Sequence, residues 1–198
     1  REIMFLVNAC ENAAGPAGVR DAAIIGIMAE VPGCRRTEVV TLKFEDYDPA
    51  DGRLLVTGKR NKQRTVWLAN GQKQAMDEWI AIRGDEPGPL FLPINKGGSI
   101  AVRKSVGADG KEYTEPMTSQ SVYNMLAKRG KAAKLGKFTP HDLRRTLVGD
   151  LLDDGVDIAT VAKIVGHSDV ATTQRYDRRP KEVIKKAARN RHFPYRGM

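Results

Sequence analysis

Apolar residues near the start of the chain recur three and four positions apart, which is the spacing of one face of a helix. The first group consists of Ile3, Leu6, Val7 and Cys10. A second helix is expected over residues 21–30, which are apolar enough for the centre of the core. After a proline–glycine turn, a short helix is expected to start near Arg35, with Val39 and Leu42 facing inward.

Apolar and β-branched residues in the next part of the chain predict strands. The segments are residues 44–47, 53–57 and 64–68, and glycine-containing turns separate them. Consecutive strands joined by short turns pair antiparallel. We therefore predict a small three-stranded antiparallel sheet.

Helical spacing returns after the sheet. Asn70 is expected to cap a helix that runs to about Arg83, and the proline- and glycine-rich residues 84–98 predict a loop. Residues 99–115 are polar and are expected to form a hairpin, and from Thr118 the pattern is helical almost to the end of the chain. The predicted fold class is α+β, mostly helical with one small antiparallel sheet.

The charge of the chain points to a polyanionic partner. Lys and Arg outnumber Asp and Glu by 33 to 24 among the 198 residues, a formal charge of +9. Such an excess favours nucleic acid before a membrane surface. Residues 178–191 concentrate it, with seven basic residues against one acidic. The longest apolar run, residues 22–31, is too short to cross a bilayer.

The two cysteines, Cys10 and Cys34, occur without a CxxC motif or a Cys/His cluster. This usage favours reduced thiols and a cytoplasmic location, and it argues against a structural zinc site. A disulfide between the two residues is the alternative.

The segment TPHDLRR predicts a helix N-terminus that can hold an anion. Thr139 is a good N-cap, Pro140 suits the first helical position, and Asp142 favours the positive end of the helix dipole. His141 and Arg144 lie three residues apart, so they project from one face of the first turn, where phosphate binds readily. A capped surface helix with an incidental His and Arg is the alternative.

A second helical segment follows residue 151. Asp157 is expected to cap a helix that Gly166 ends, and Ser168 to cap the next helix, which carries Tyr176. Taken alone, Tyr176 is a packing aromatic and His167 a residue of the helix linker.

Two shorter segments carry basic residues. In GCRRTE, Arg35 can hold a phosphate with two parallel hydrogen bonds, and Glu38 can orient it. The segment GKRNK is a basic hairpin tip. A solvated arginine and a solvated charged turn are the alternatives.

Taken in order, GCRRTE, GKRNK, HDLRR and GHSDVATTQRYDRR resemble the catalytic domain of the tyrosine recombinases, also called phage integrases. The resemblance covers essentially the whole chain, residues 1–198. It implies six catalytic residues, which are Arg35, Lys59, His141, Arg144, His167 and Tyr176. It implies no cofactor and no metal.

The resemblance also implies a role for each of these residues. Tyr176 is the nucleophile that forms a 3′-phosphotyrosine, and Arg35 and Arg144 bind the scissile phosphate with help from His167. His141 is the general base. Lys59 is the general acid, with Lys62 as the alternative if the register of the turn differs, and Glu38 supports Arg35.

The partners implied are double-stranded DNA and three further copies of the chain, exchanging strands through a Holliday junction. Residues 178–198 are similar to the basic tail that family members dock on a neighbour. Because the chain opens with Arg1, we expect a fragment without the family's N-terminal core-binding domain. A type IB topoisomerase, and a non-catalytic DNA-binding protein on the same scaffold, are the alternatives.

Overall fold

The computed structural model describes residues 2–136, 138–177, 180–191 and 194, and within 180–184 only the backbone. The helices there are α1 Glu2–Glu11, α2 Pro16–Ala29, α3 Arg36–Val39, α4 Asn70–Arg83, α5 Ser119–Ala132, α6 Pro140–Asp153, α7 Ile158–Val165, α8 Val170–Gln174 and α9 Pro180–Arg189. The strands are β1 Tyr47–Asp48, β2 Arg53–Thr57, β3 Gln63–Trp67, β4 Lys104–Val106 and β5 Glu112–Thr114. The predicted α+β class is confirmed.

Helix α2 lies at the centre of the main core, as its apolar sequence predicts. It packs against α1, α4 and α6. Ile24, Ile25 and Ile27 are fully buried. The loop after α4 is fixed to this core, since the indole Nε1 of buried Trp79 donates to the Leu90 carbonyl at 2.9 Å.

The three-stranded sheet has the order β1-β2-β3 and is antiparallel throughout. The prediction of a strand over residues 44–47 is wrong for its first part, because Phe44–Asp46 forms a 3₁₀ turn. There the Lys43 N–H donates to the Asp46 carboxylate at 2.8 Å, a local bond that competes with strand pairing. On the inward face, Val56 of β2 lies opposite Arg64 of β3.

Two predicted helix caps are wrong. Asn70 is the first residue of α4 rather than its cap, with a left-handed backbone (φ 50°) that asparagine tolerates. Asp169, not Ser168, caps α8, because its carboxylate accepts the Ala171 N–H at 2.8 Å. Tyr176 lies just beyond α8, where its N–H bonds back three residues to Thr173 and closes a turn.

Two further elements differ from the predictions in their bounds, since α2 begins at Pro16 rather than at residue 21 and β3 spans Gln63–Trp67 rather than 64–68. β4 and β5 form the expected hairpin. Cys10 and Cys34 are both buried and free, so the alternative disulfide does not form. Among the residues described, no helix is both long and apolar enough to span a membrane.

A second, smaller apolar cluster joins α6 to α7. Its buried members are Leu147, Val148, Leu152, Val161 and Val165. Tyr176 packs against this cluster. The cluster therefore fixes the end of α7 relative to the helix that carries Arg144.

Candidate active site

Arg35 is held by a buried carboxylate at the start of α3. Glu38 accepts hydrogen bonds from the Arg35 backbone N–H at 2.9 Å and from its guanidinium Nη1 at 2.7 Å. Nη2 of Arg35 donates to the Gly166 carbonyl at 3.1 Å. The Arg35 side chain is 37% exposed and that of Glu38 is 4% exposed. The carboxylate therefore fixes a guanidinium that solvent, or an anion, can still reach.

A second arginine, Arg64 of β3, binds the same carboxylate. Its Nη1 and Nη2 lie 3.2 and 2.9 Å from the two oxygens of Glu38, and its side chain is 13% exposed. The sequence analysis missed this residue. The sequence feature that could have identified Arg64 is the alternation of inward and outward residues along β3, which puts Arg64 on the same face as buried Val66.

Arg144 of α6 reaches the backbone next to Gly166. Its guanidinium is buried and donates to the carbonyls of Gly33 and Val165. Burial, together with the charge of Arg35, lowers the pKa of Arg144 to about 10, so it remains a cation at neutral pH. A glycine is needed at position 33, because φ is +63° and a Cβ there would lie 2.6 Å from Leu147 Cδ2.

His167 is placed by the end of α7. Gly166 terminates the helix in the left-handed conformation (φ 65°), and the His167 N–H then donates to the Ala162 carbonyl at 2.8 Å. The imidazole Nδ1 lies 2.8 Å from Oγ1 of Thr173, which is fully buried. Thr173 is the second contact that the sequence analysis missed.

The imidazole of His167 is neutral at physiological pH. Burial lowers its pKa to about 4, and the positive charges of Arg144 and Arg35 act in the same direction. A neutral imidazole carries one N–H, which can be donated to an anion.

We expect this low pKa to make folding stability depend on pH. An unfolded histidine takes up its proton near pH 6.5. The contribution of His167 is therefore fully present above pH 6.5 and is lost as the pH falls towards 4. Urea unfolding of the wild type and of His167→Gln at pH 7 and pH 5 measures it, and the variant should lose less stability on acidification. His141→Gln, at an exposed site, is the control. An NMR titration of His167 centred near pH 6.5 would contradict the expectation.

A cavity of about 850 Å³ lies above these groups, and Arg35, Arg64 and His167 are part of its lining. Lys59 and Lys62 line it as well, from the turn between β2 and β3. Both lysines of the turn are therefore brought to the site, and either is within the same cavity as Arg35.

Three predicted residues, Arg144, Tyr176 and His141, lie outside this lining. The Tyr176 ring is stacked near His167, with centroids 6.4 Å apart and an interplanar angle of 25°. His141 is exposed on the first turn of α6, one turn before Arg144. Within the described part of the chain, the structure thus brings together Arg35, Glu38, Lys59, Arg144, His167 and Tyr176, and leaves His141 at the surface.

The fold and the site define a class of protein suited to holding a phosphate-like anion beside a tyrosine. Within the described ranges, three guanidinium groups and one imidazole converge there around the carboxylate of Glu38. The chain belongs to the phage integrase family, whose model matches residues 1–182.

The relatives agree with this assignment. The chain is 29% identical to a tyrosine recombinase XerC from Pediococcus pentosaceus over 195 residues, covering 98% of this chain and 61% of that protein. The crystal structure of XerA recombinase superposes with a TM-score of 0.67 at 24% identity, covering 97% of this chain and 64% of the other. The catalytic domain of bacteriophage HP1 integrase gives 0.60 at 20% identity, covering 96% and 91%. The two structural likenesses bear on the fold.

The chain spans about half to three fifths of the length of the curated relatives it matches.

Proposed function

We propose that this chain is the catalytic domain of a tyrosine site-specific DNA recombinase, an integrase that cleaves and rejoins DNA by transesterification. One observation carries the proposal. Arg144 donates to the last carbonyl of α7, that of Val165, and Arg35 to the next one, that of Gly166. His167 follows directly, and its ring is stacked with that of Tyr176. Family membership supports the same activity.

In this proposal the two arginines and His167 bind the nonbridging oxygens of the scissile phosphate. Those oxygens gain charge when phosphorus becomes five-coordinate, and fixed cations stabilise that charge without rearranging. Arg35 is held by Glu38 and Arg144 by two backbone carbonyls, so both are oriented before DNA arrives. His167, being neutral, adds a hydrogen bond rather than a charge.

Tyr176 is the proposed nucleophile. Its oxygen attacks phosphorus and loses its proton, while the bond from phosphorus to the bridging 5′-oxygen breaks. The products are a 3′-phosphotyrosine and a DNA end with a free 5′-hydroxyl. Because the phosphodiester energy is kept in the new bond, attack by another 5′-hydroxyl rejoins the DNA without ATP.

Two proton transfers complete the step. His141 is the proposed base for Tyr176, and because its side chain is exposed in the free chain, we expect it to approach only when DNA is bound. Lys59 is the proposed acid that protonates the leaving 5′-oxygen. Lys62 lines the same cavity and is the alternative acid.

The proposed partner is double-stranded DNA, consistent with the charge of +9. We further propose a homotetramer on paired sites, acting through a Holliday junction in the cytoplasm, with an N-terminal core-binding domain outside this chain. The tail, residues 178–198, would dock on a neighbouring subunit. This segment includes Val183, Ile184 and Ala187, and the side chains of the first two lie outside the described residues.

The test is covalent trapping on a suicide substrate, a DNA duplex nicked beside the scissile phosphate so that the cleaved strand diffuses away. We expect an adduct of protein and DNA on a denaturing gel, formed at the same rate in EDTA and in magnesium. The reason is that guanidinium groups supply the charge stabilisation that metal ions supply in other nucleases.

An adduct that EDTA abolishes and magnesium restores would contradict this mechanism. Plasmid relaxation on DNA without paired sites, and no strand exchange on DNA with them, would instead assign the chain to topoisomerase-like chemistry.

A further inference from the structure

We propose that Arg64 is a positioning residue for DNA cleavage, acting on Arg35 through their shared partner Glu38. The inference rests on the proposed function and adds a residue to that site. Arg64 lies on a different element from either partner, 26 residues after Glu38, and joins the sheet to α3.

The geometry is that of a carboxylate clamped from two sides. Arg64 contacts both Glu38 oxygens, at 3.2 and 2.9 Å, while Arg35 reaches one of them at 2.7 Å through its side chain. With Arg64 present, Glu38 cannot rotate without breaking two further hydrogen bonds. The orientation of the Arg35 guanidinium is therefore set from β3 as well as from α3.

Charge gives Arg64 a second effect. A carboxylate 2.7 Å from Arg35 would by itself cancel much of the positive charge that a phosphate has to meet. Arg64 Nη2 lies 2.9 Å from Glu38 Oε2 and neutralises the carboxylate. Arg35, Glu38 and Arg64 together therefore keep a net charge of +1. Glu38 can then orient Arg35 without suppressing its field.

The surroundings of the Arg64 guanidinium confine it closely. Within the part of the chain that the structure describes, its buried Nε has no hydrogen-bond partner. Such an orphaned donor in a low-dielectric site destabilises the fold. The neighbouring backbone also fits closely around the guanidinium, since a Cβ built on Gly166 would lie 2.8 Å from its Nη1. Arg64 is thus closely confined at this inward position of the sheet, and its unpaired Nε lowers the stability of the fold.

The first measurement is the single-turnover rate of adduct formation at pH 7 for Arg64→Met. We expect a loss of about 10²-fold, the effect of an ångström-scale misplacement of a catalytic group. Arg53→Met is the matched control, because Arg53 lies on the adjacent strand with an exposed ion pair to Asp48 and should react normally.

The pH profile separates positioning from a general loss of structure. Burial acts to raise the pKa of the Glu38 carboxyl, but Arg64, and after it Arg35, hold that pKa below its ordinary value. Removing Arg64 lets the pKa rise, so the acid limb of the rate profile should move to higher pH. Among the described residues, Arg144, His167 and Cys34 also interact electrostatically with Glu38. Lys59, Arg60, Lys62 and Lys163 line the same cavity as Glu38. The charge of Arg64 also acts to lower the pKa of His167, so removing Arg64 should raise that pKa too. The part of the shift that passes through Glu38 is the part that Glu38→Gln removes.

A double-mutant cycle tests whether the effect passes through Glu38. If it does, Arg64→Met combined with Glu38→Gln should be no slower than the slower single variant. Arg64→Lys, which keeps the charge but not the two-pronged contact, should show an intermediate rate and a smaller shift of the acid limb. If Arg64→Met does not fold, the rate and the acid limb of Arg64→Lys provide the test instead.

Three results would overturn the inference while leaving the proposed function standing. They are a normal rate in both Arg64 variants, a loss that is equal at every pH and matches the loss of folded protein by circular dichroism, and additive effects in the cycle. An absence of any adduct from the wild-type chain would overturn the proposed function, and this inference with it.

Discussion

Replacement of Tyr176 by phenylalanine is expected to abolish the covalent adduct while changing DNA affinity by no more than a few-fold. The hydroxyl oxygen is the atom that attacks phosphorus, whereas binding depends on cations that neutralise DNA phosphates. The ring is retained, so the contact of Tyr176 with the α6–α7 apolar cluster persists. A denaturing gel and a binding titration on the same duplex make the comparison.

Tyr123→Phe is the matched control. It removes a hydroxyl from α5 but keeps the ring over which the Arg36 guanidinium lies, 5.9 Å from the centroid. It should form the adduct normally. A normal adduct from Tyr176→Phe would end the assignment of Tyr176 as nucleophile.

Sulfur substitution at the bridging 5′ position should rescue Lys59→Ala but not Arg144→Ala. A thiolate leaves without a proton, so the 10²–10⁴-fold that a general acid typically contributes is no longer needed. The nonbridging oxygens still gain charge, and the loss from removing an oriented cation therefore persists. The measurement is single-turnover adduct formation by both variants on the oxygen and sulfur substrates.

Lys62→Ala decides between the two lysines of the turn, because both line the cavity. Rescue of Lys62→Ala alone would move the acid three residues along the chain. Equal rescue of Lys59→Ala and Arg144→Ala would show that protonation of the leaving group does not belong to Lys59.

Features encoded by neighbouring residues could be predicted from the sequence. Thr139 and Pro140 start α6, Gly166 ends α7, and β2 spans Arg53–Thr57 as its alternation indicates. The cap at Ser168 was wrong because the next residue, Asp169, offers a carboxylate for the same N–H groups. Sequence pattern alone does not rank two adjacent acceptors.

The candidate site was predictable only as far as its motifs reach. Arg64 is 26 residues from Glu38, so their ion pair depends on the register of β3 against β2 and on where α3 packs. Thr173 contacts His167 across the start of α8, and the cap of that helix was predicted one residue too early, at Ser168. Both missed contacts are made by the tertiary structure, and no spacing of residues along the sequence predicts them.

The end of α7 links the proposed active site to apolar side chains that take no part in the reaction themselves. Its last carbonyl and that of Gly166 receive Arg144 and Arg35, and His167 follows at once. A small slide of α7 over α6 would move His167 and break the hydrogen bonds that orient Arg144 and Arg35. The site is therefore assembled or lost as a set. We therefore expect buried valines such as Val161, which hold α7 in place, to influence cleavage through the position of α7.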